Sequence, residues 1–208
     1  MTKDLFVTGT DTAVGKTLLS ALLVAALNRK YWKPIQTGAC DGTDRQTVMK
    51  WAGVPADRTH AEVFSFDQPV SPHLAAEQQG TPIHLENIRR PPDPEPIVTE
   101  GAGGVFVPIN DHAFMLDLMR NLNVPVVVAT RTVLGTINHT LLTTFAIRNA
   151  GLQLRGVVMV GKDNKDNRRA IERYGEAPVI GSIPWLDTIN PASLRRVFEE
   201  RFEKSAFA

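Results

Sequence analysis

The chain has 208 residues, 43% of them apolar and 22% charged, which is typical of a globular protein and fits one domain spanning 1–208. A formal net charge of +1 gives no reason to expect a nucleic acid or an anionic membrane as partner. The single cysteine, Cys40, excludes an internal disulfide. Because the opening MTKDLFVTG lacks a secretory pattern and no apolar run approaches about 20 residues, we expect a cytoplasmic protein without a membrane span.

Short apolar runs alternate with amphipathic stretches along the whole chain. LFVT (5–8) predicts a strand, KTLLSALLVAALNRK (16–30) a long helix and YWKPI (31–35) a second strand. Helices are expected at 44–53 and 71–80, and the proline-rich segment 89–96 is expected to be a surface loop. Further strands are predicted at 96–100, 124–130, 156–160 and 178–184, and further helices at 114–122, 137–150, 165–174 and 191–203. The valine-rich strands do not alternate in polarity, so we predict an α/β fold: a three-layer, doubly wound, mostly parallel sheet.

The segment VTGTDTAVGKT (7–17) follows the first strand and precedes the first helix. A phosphate loop has glycine, four residues, then Gly-Lys-Ser/Thr, but here Gly9 comes one residue too early. A strand-to-helix turn that merely needs glycine is the alternative. The position after the first strand favours phosphate binding, with Lys16 on the β- and γ-phosphate oxygens and Thr17 on Mg²⁺. This predicts a P-loop NTPase-like protein.

Two further segments bring charged side chains toward the same edge of the predicted sheet. PIVTEGAGG places Glu100 at the end of an apolar strand, where a carboxylate can assist Mg²⁺. KPIQTG (33–38) places Lys33 at the end of another strand, although a lone lysine there is more often solvated. Asp44 begins a predicted helix and could approach Mg²⁺; alone, it is better explained as a charge that favours the helix N-terminus.

The segment RTVLGTINHTLLT (131–143) offers a second anion site. Gly135 and Thr136 precede a helix whose first turn has free N–H groups, which suits a carboxylate or a phosphate. His139 is more simply a packed helix residue than a metal ligand. The sequence has no His/Cys cluster for zinc and no evident Ser/His/Asp arrangement.

The motifs GTDTAVGKT, KPIQTG, EGAGGVFVPIN and LGTINHTLLT, together with the late IPWL, resemble the dethiobiotin synthetase family. The resemblance runs from Phe6 to about Leu186, and in this family the loop has the longer form with Gly-Thr-Asp-Thr. It implies that 7,8-diaminopelargonate, CO₂ and ATP give dethiobiotin, ADP and phosphate with Mg²⁺. A carbamate would form first, take the γ-phosphoryl group as a mixed anhydride, and then close to the ureido ring.

The resemblance also implies roles for individual residues. Lys16 and Lys33 would be catalytic, and Thr17, Asp44 and Glu100 would hold Mg²⁺. The nucleotide would be bound by Ala13, Val14, Gly15, Lys16, Thr17, Leu18, Asp44, Glu100, Gly101, Ala102, Gly103, Val160, Gly161, Pro184, Trp185 and Leu186. The substrate would be bound by Lys33, Thr37, Gly103, Gly135, Thr136, Ile137 and Asn138. The turn 135–138 would come from the second subunit of a homodimer, so the active site would lie at the interface.

The chain departs from the family pattern at two places in the nucleotide site. Ala13 stands where the family often has Glu, which predicts altered packing or charge near the phosphates. Val160 and Gly161 stand where members that recognise adenine closely carry Asn or Asn-Asp. Because a valine side chain cannot hydrogen-bond a base, another nucleoside triphosphate is expected to compete with ATP.

Two rival functions share this fold. A cobyrinate-type amide synthetase would need a glutaminase domain with a nucleophilic cysteine, for which 208 residues with only Cys40 leave no room. A partition-type ATPase switch would carry a lysine five residues before Lys16, where this chain has Asp11, and would tend to end in a basic or amphipathic element.

Overall fold

A computed structural model describes residues 3–207 of the chain. Within that range it contains the strands β1 (Leu5–Gly9), β2 (Lys30–Trp32), β3 (Ile35–Thr37), β4 (Thr59–His60), β5 (Phe64–Phe66), β6 (Ile97–Gly104), β7 (Pro108–Asn110), β8 (Ala113–Phe114), β9 (Val126–Arg131), β10 (Leu154–Val160) and β11 (Val179–Ile183). The helices are α1 (Lys16–Leu27), α2 (Asp44–Ala52), α3 (Pro72–Gln78), α4 (Met115–Leu122), α5 (Thr136–Asn149), α6 (Lys165–Gly175) and α7 (Pro191–Arg201).

Seven strands form one sheet in the order β4-β2-β6-β1-β9-β10-β11, and all six of its strand pairs are parallel. β1 lies at the centre, and β6 returns late in the chain to lie between β1 and β2. The carboxyl ends of these strands therefore meet at one edge, which is where parallel α/β sheets bind ligands. The predicted α/β fold with a doubly wound parallel sheet is confirmed.

Strand residues alternate between two hydrophobic cores, one on each face of the sheet. Val126 and Val128 of β9 join the core that α3, α4, α5 and α6 cover. Val127 and Ala129, the residues between and after them, join the core under α1, α2 and α7. Because both faces are covered, the strands are apolar throughout rather than alternating in polarity.

The element boundaries differ from the predicted ones where backbone conformation decides them. α1 ends at Leu27, earlier than predicted, because Asn28 takes the left-handed conformation with φ of 51° and allows β2 to begin at Lys30. β6 continues past Glu100 through the glycines to Gly104, since it stays paired with β1 as far as Gly9. The predicted strand 31–35 is interrupted at Lys33 and Pro34, because proline has no N–H to donate to a strand ladder, so β2 ends at Trp32 and β3 begins at Ile35. The pairing of β3 with β5 and of β7 with β8 is not predicted, because strands of two or three residues are too short to show periodicity.

The sequence analysis predicts no membrane-spanning segment. Within residues 3–207, no helix combines the length and the apolar character needed to cross a bilayer.

Candidate active site

The phosphate loop predicted from VTGTDTAVGKT connects β1 to α1. Gly15 precedes the first helical residue with φ of 97°, a left-handed conformation that favours glycine, and no side chain caps the helix. Ala13 is also left-handed, with φ of 55°. The first turn of α1 has no acidic residue, so its N–H groups and the positive end of the helix dipole favour an anion. The loop is therefore suited to holding a phosphate group.

Lys16, the first residue of α1, is buried within this loop. Its Nζ donates a hydrogen bond to the backbone oxygen of Asp11 at 2.9 Å, which folds the side chain back along the loop. Burial lowers the pKa of Lys16 to about 8, although the Glu100 and Asp44 carboxylates act in the opposite direction. The ammonium group is still mostly charged at neutral pH, so it can meet phosphate oxygens.

Thr17 lies one residue further on and brings two carboxylates together. Its Oγ1 lies 2.8 Å from Asp44 Oδ1 and 2.9 Å from Glu100 Oε1. Asp44 is the first residue of α2, and a capping box between Thr43 and Gln46 fixes that helix start. Glu100 is 1% exposed, and Tyr31 donates its hydroxyl proton to Glu100 Oε2 at 3.1 Å. Three oxygen-bearing side chains from α1, α2 and β6 thus converge at one point.

The chemistry of this set fits Mg²⁺. A threonine hydroxyl has one proton and donates to only one of the two carboxylates, so oxygen lone pairs on all three side chains remain available to a cation beside the contacts that Lys33 makes. Hydroxyl and carboxylate oxygens are the ligands that Mg²⁺ prefers, and it usually takes only one or two carboxylates plus substrate phosphates. Among residues 3–207 no group of three or more His, Cys, Asp or Glu forms a cluster that could hold a metal.

Lys33 lies on the other side of the two carboxylates. It forms an ion pair with Asp44 Oδ2, and its Nζ is 3.4 Å from Glu100 Oε1. Burial alone would lower the pKa of Lys33, but the Glu100 and Asp44 carboxylates outweigh it and raise that pKa above the ordinary value. The same pairing lowers the pKa of Asp44 against the effect of burial. Lys33 is therefore an ammonium group held in place by the two carboxylates.

A cavity of about 580 Å³ lies over these residues at the sheet edge. Half of the residues predicted for the site line it: Ala13, Gly15, Lys16, Thr17, Leu18, Lys33, Thr37, Asp44, Glu100, Ala102 and Gly103. Gly103 takes φ of 61°, and a Cβ there would lie 2.5 Å from Val107 Cγ2, so only glycine fits. The structure thus brings three separate sequence motifs to one cavity.

Within the loop and strand motifs, two predicted residues do not line the cavity, and the lining includes Trp51 and one segment that the sequence does not predict. The Val14 side chain belongs to the core under α1, so only its backbone can face a phosphate. A Cβ on Gly101 would meet Phe6 and Met115 beneath the sheet edge. The segment 69–72, Pro-Val-Ser-Pro, lines the cavity just before α3. Its Ser-Pro pair was interpreted only as the start of a helix, and nothing local in the sequence signals that it reaches the site.

The residues predicted to contact the base lie beside the phosphate loop, outside that cavity. Val160 ends β10 and packs on the loop: a Cβ built on Gly15 would lie 2.9 Å from Val160 Cγ1. Gly161 donates its N–H to the Ile183 carbonyl at 2.9 Å, which brings the segment 184–186 alongside. Trp185 in this segment is 81% exposed. This end of the site presents apolar side chains and offers no side-chain hydrogen bond from Val160 to a base.

The turn 135–138 also lies outside the 580 Å³ cavity. Gly135 takes φ of 93° at the start of α5, and no side chain caps this helix either. The adjoining surface is apolar: Leu134 is fully exposed, and Leu142 and Phe145 on α5 are 61% and 69% exposed. The turn predicted as a second anion site therefore begins a helix without a side-chain cap, but within one chain it does not line the same cavity as the phosphate loop.

The parallel sheet, the phosphate loop after β1 and the carboxylates beside it define a nucleotide-binding protein of the P-loop class. A family model described as an AAA domain matches residues 3–193, and the chain belongs, within that family, to the ATP-dependent dethiobiotin synthetases. It is 42% identical over 207 residues to the ATP-dependent dethiobiotin synthetase BioD of Rhodopseudomonas palustris (strain HaA2), covering 100% of this chain and 97% of that protein.

Other relatives agree with this membership. The ATP-dependent dethiobiotin synthetase BioD of Paramagnetospirillum magneticum is 46% identical over 192 residues, covering 92% of this chain and 93% of that protein. The biotin biosynthesis bifunctional protein BioCD of Bordetella avium is 47% identical over 189 residues. That match covers 90% of this chain but only 41% of the bifunctional protein.

Solved structures with the same fold are more distant. A ParA family ATPase from Chlorobium tepidum matches with a TM-score of 0.54 and 11% identity, covering 99% of this chain and 96% of that chain. The MinC:MinD cell division complex of Aquifex aeolicus matches with a TM-score of 0.54 and 15% identity, covering 92% and 84%. At these identities the similarity shows the fold alone, so it adds no support for the partition-type switch.

Proposed function

We propose that this enzyme makes dethiobiotin from 7,8-diaminopelargonate, CO₂ and ATP, as the names of its relatives and the geometry of its site both suggest. The observation that carries the proposal is the convergence of Lys16, Thr17, Lys33, Asp44 and Glu100 on one cavity. Phosphoryl transfer needs little from a protein beyond positioning and charge neutralisation, and these side chains offer both. We assign the activity to one domain spanning 1–208, supported by the seven-strand sheet that lies between two hydrophobic cores.

The triphosphate would lie along the phosphate loop, with its oxygens on the N–H groups at the start of α1 and on Lys16 Nζ. Thr17, Asp44 and Glu100 would hold Mg²⁺, which when bound neutralises phosphate charge and favours transfer. Tyr31 keeps one Glu100 oxygen occupied through its hydrogen bond, so the other oxygen faces the site. The chain's own contribution is to hold these charges fixed before the nucleotide arrives.

Lys33 would serve the second reactant. One substrate amine adds to CO₂ and loses a proton, giving a carbamate whose negative charge the Lys33 ammonium group stabilises. A carbamate oxygen attacks the γ-phosphorus and the bond to ADP breaks, giving a carbamic-phosphoric anhydride. The other substrate amine then attacks the carbonyl carbon and expels phosphate, which closes the ureido ring. Thr37 and Gly103 line the cavity where the diamine would lie.

The distal carboxylate of the substrate would bind to the turn 135–138 of a second subunit. The free N–H groups at the start of α5 favour an anion, but the turn does not line the cavity of its own chain. The exposed apolar side chains beside it, Leu134, Leu142 and Phe145, suit an interface between two copies. A homodimer would therefore complete each active site.

A cytoplasmic location is part of the proposal, supported by the free, exposed Cys40.

The transfer of one CO₂ oxygen atom into the released phosphate tests the proposed reaction. If CO₂ labelled with ¹⁸O is supplied with diaminopelargonate and Mg-ATP, the carbamate oxygen that attacks phosphorus should leave in the phosphate. We expect one labelled oxygen in each phosphate released in proportion to dethiobiotin, measured by mass spectrometry. Unlabelled phosphate, or phosphate release without ring closure, would contradict the proposal.

A further inference from the structure

Four threonine hydroxyls meet at the carboxyl end of β9. Thr130 is fully buried, and its Oγ1 lies 2.8 Å from Thr136 Oγ1 and 2.9 Å from Thr140 Oγ1. The Oγ1 of Thr10 lies 3.3 Å from the same atom. Thr136 and Thr140 are also buried. One hydroxyl is thus the common partner of three others from two separate parts of the chain.

The direction of each hydrogen bond in this cluster follows from counting protons. Thr136 donates its only hydroxyl proton to the Arg131 carbonyl at 2.6 Å, so it must accept from Thr130. Thr130 has then used its own proton, and it can only accept from Thr10 and Thr140. With one donated and two accepted bonds, the Thr130 hydroxyl is saturated, and the cluster has a single consistent arrangement.

The cluster joins the two anion sites. Thr10 begins the phosphate loop, and its N–H donates to Ala129 O of β9 at 3.0 Å. Thr136 is the first residue of α5 and belongs to the turn 135–138. A second link runs in parallel, because Arg131 Nη2 donates to the Thr12 carbonyl at 2.9 Å. The end of β9 therefore fixes the phosphate loop on one side and the first turn of α5 on the other.

We propose that Thr130 is a positioning residue for the substrate carboxylate: its hydroxyl fixes the first turn of α5 relative to the phosphate loop and so sets where the turn 135–138 can bind that carboxylate. This inference rests on the proposed function. In a homodimer, the same hydroxyl connects the phosphate loop of one active site to the turn that completes the other site.

The test compares two substrates in two variants of nearly equal shape. Thr130→Val keeps the branched side chain and removes the hydroxyl, whereas Thr130→Ser keeps the hydroxyl and removes a methyl group. Each is assayed with 7,8-diaminopelargonate and with 2,3-diaminononane, which has the two amines at the same end of a nine-carbon chain but no carboxylate. We expect Thr130→Val to lower kcat/KM about tenfold for the acid, mainly through KM, and to change it less than about twofold for the diamine. Thr130→Ser should retain the wild-type preference for the acid.

Thr144→Val is the matched control. Thr144 is equally buried on α5, but its hydroxyl donates only to the Leu141 carbonyl of the same helix. This variant should leave the ratio between the two substrates unchanged. If Thr130→Val does not fold, Thr140→Val removes one donor from the cluster and should shift the ratio in the same direction by a smaller factor.

The outcomes separate the inference from the function on which it rests. An equal loss for both substrates in the folded Thr130→Val or Thr140→Val variant, or no loss for either, would overturn the role of Thr130 while leaving the synthetase intact. A wild-type protein that forms no ureido product from the acid would instead contradict the proposed function itself.

Discussion

Lys16 and Lys33 are both buried lysines at the same cavity, but their partners differ. Lys16 donates to a backbone carbonyl of the phosphate loop, while Lys33 lies between two carboxylates that keep it charged. In the proposed reaction, Lys16 would contact the triphosphate because the phosphate loop holds it. Lys33 would contact the carbamate that reacts with the triphosphate, because the two carboxylates hold it beside that loop. The two positions therefore predict separable effects.

We expect Lys16→Ala to weaken nucleotide binding and Lys33→Ala to abolish product formation while nucleotide binding is retained. Removing Lys16 takes away a charge-assisted contact worth about 2 kcal/mol, or roughly thirtyfold in Kd. Titration calorimetry with ADP and a product assay would measure both effects, with the exposed Lys50→Ala as control. Equal loss of nucleotide affinity in the Lys16 and Lys33 variants would contradict the separate roles.

The packing of Val160 on Gly15 bears on which base is accepted. Since Val160 offers no hydrogen bond to a base, we predict comparable kcat/KM for ATP and CTP. Val160→Asn should shift the ratio toward ATP by adding a donor and an acceptor at the same place. Steady-state kinetics with both nucleotides measures this. A wild-type preference for ATP above about 100-fold, roughly 2.7 kcal/mol, would contradict it.

At the scale of whole elements, the junction between β1 and α1 depends on one backbone conformation. Gly15 is left-handed, and the position of its missing Cβ is within 3.2 Å of three Val160 atoms. A side chain there must either move β10 or distort the loop that we propose to hold the phosphates. The junction therefore has no room for a side chain at Gly15, the residue directly before the N–H groups of the first turn of α1.

We predict that Gly15→Ala weakens nucleotide binding at least tenfold, because strain and the Val160 contact displace the loop. Gly151→Ala is the control: Gly151 is also left-handed, with φ of 74°, but a Cβ there would meet nothing within 4 Å. It should lower the free energy of unfolding by about 1 kcal/mol and leave nucleotide affinity unchanged. Calorimetry and thermal melting would measure the pair, and an unaffected Kd in Gly15→Ala would contradict the proposed role of the loop.

The long elements could be predicted from the sequence, and the short ones could not. α5 and α6 were predicted within one residue at each end, because each lies between two clearly apolar strands and Gly135 precedes the start of α5. Glu100 and Lys33 could be assigned to one sheet edge because parallel strands share that edge, whereas Asp44, on a helix, was placed near Mg²⁺ by the family resemblance. The contribution of the segment 69–72 and the Thr130 cluster depend on tertiary packing, which local residue patterns do not encode.

At the scale of the whole molecule, the proposed homodimer makes each active site from two chains. The turn 135–138 and the exposed apolar side chains of α5 would face the partner, whereas the phosphate loop and Lys33 remain in the first chain. An active site shared between two chains allows complementation between variants, which a monomeric enzyme cannot show. Two inactive variants with defects in different parts can restore each other in a mixed dimer.

We predict this restoration for Lys33→Ala and Gly135→Asp. The second variant adds a carboxylate beside the substrate carboxylate on a left-handed backbone, so it should be inactive alone. Co-expressed in equal amounts, half of the dimers are mixed, and each mixed dimer has one site free of both defects. We expect about a quarter of wild-type activity. Activity no greater than that of the separate variants would contradict a shared site.

Labelling the carbon of bicarbonate with ¹³C tests the proposed dethiobiotin synthetase activity most directly. The enzyme would be incubated with diaminopelargonate, Mg-ATP and ¹³C-bicarbonate, and the products analysed by mass spectrometry alongside a measurement of ADP. We predict dethiobiotin that is heavier by about one mass unit and equal in amount to the ADP formed, with none in the Lys33→Ala variant. ADP formation without the labelled ureido product would contradict the synthetase assignment.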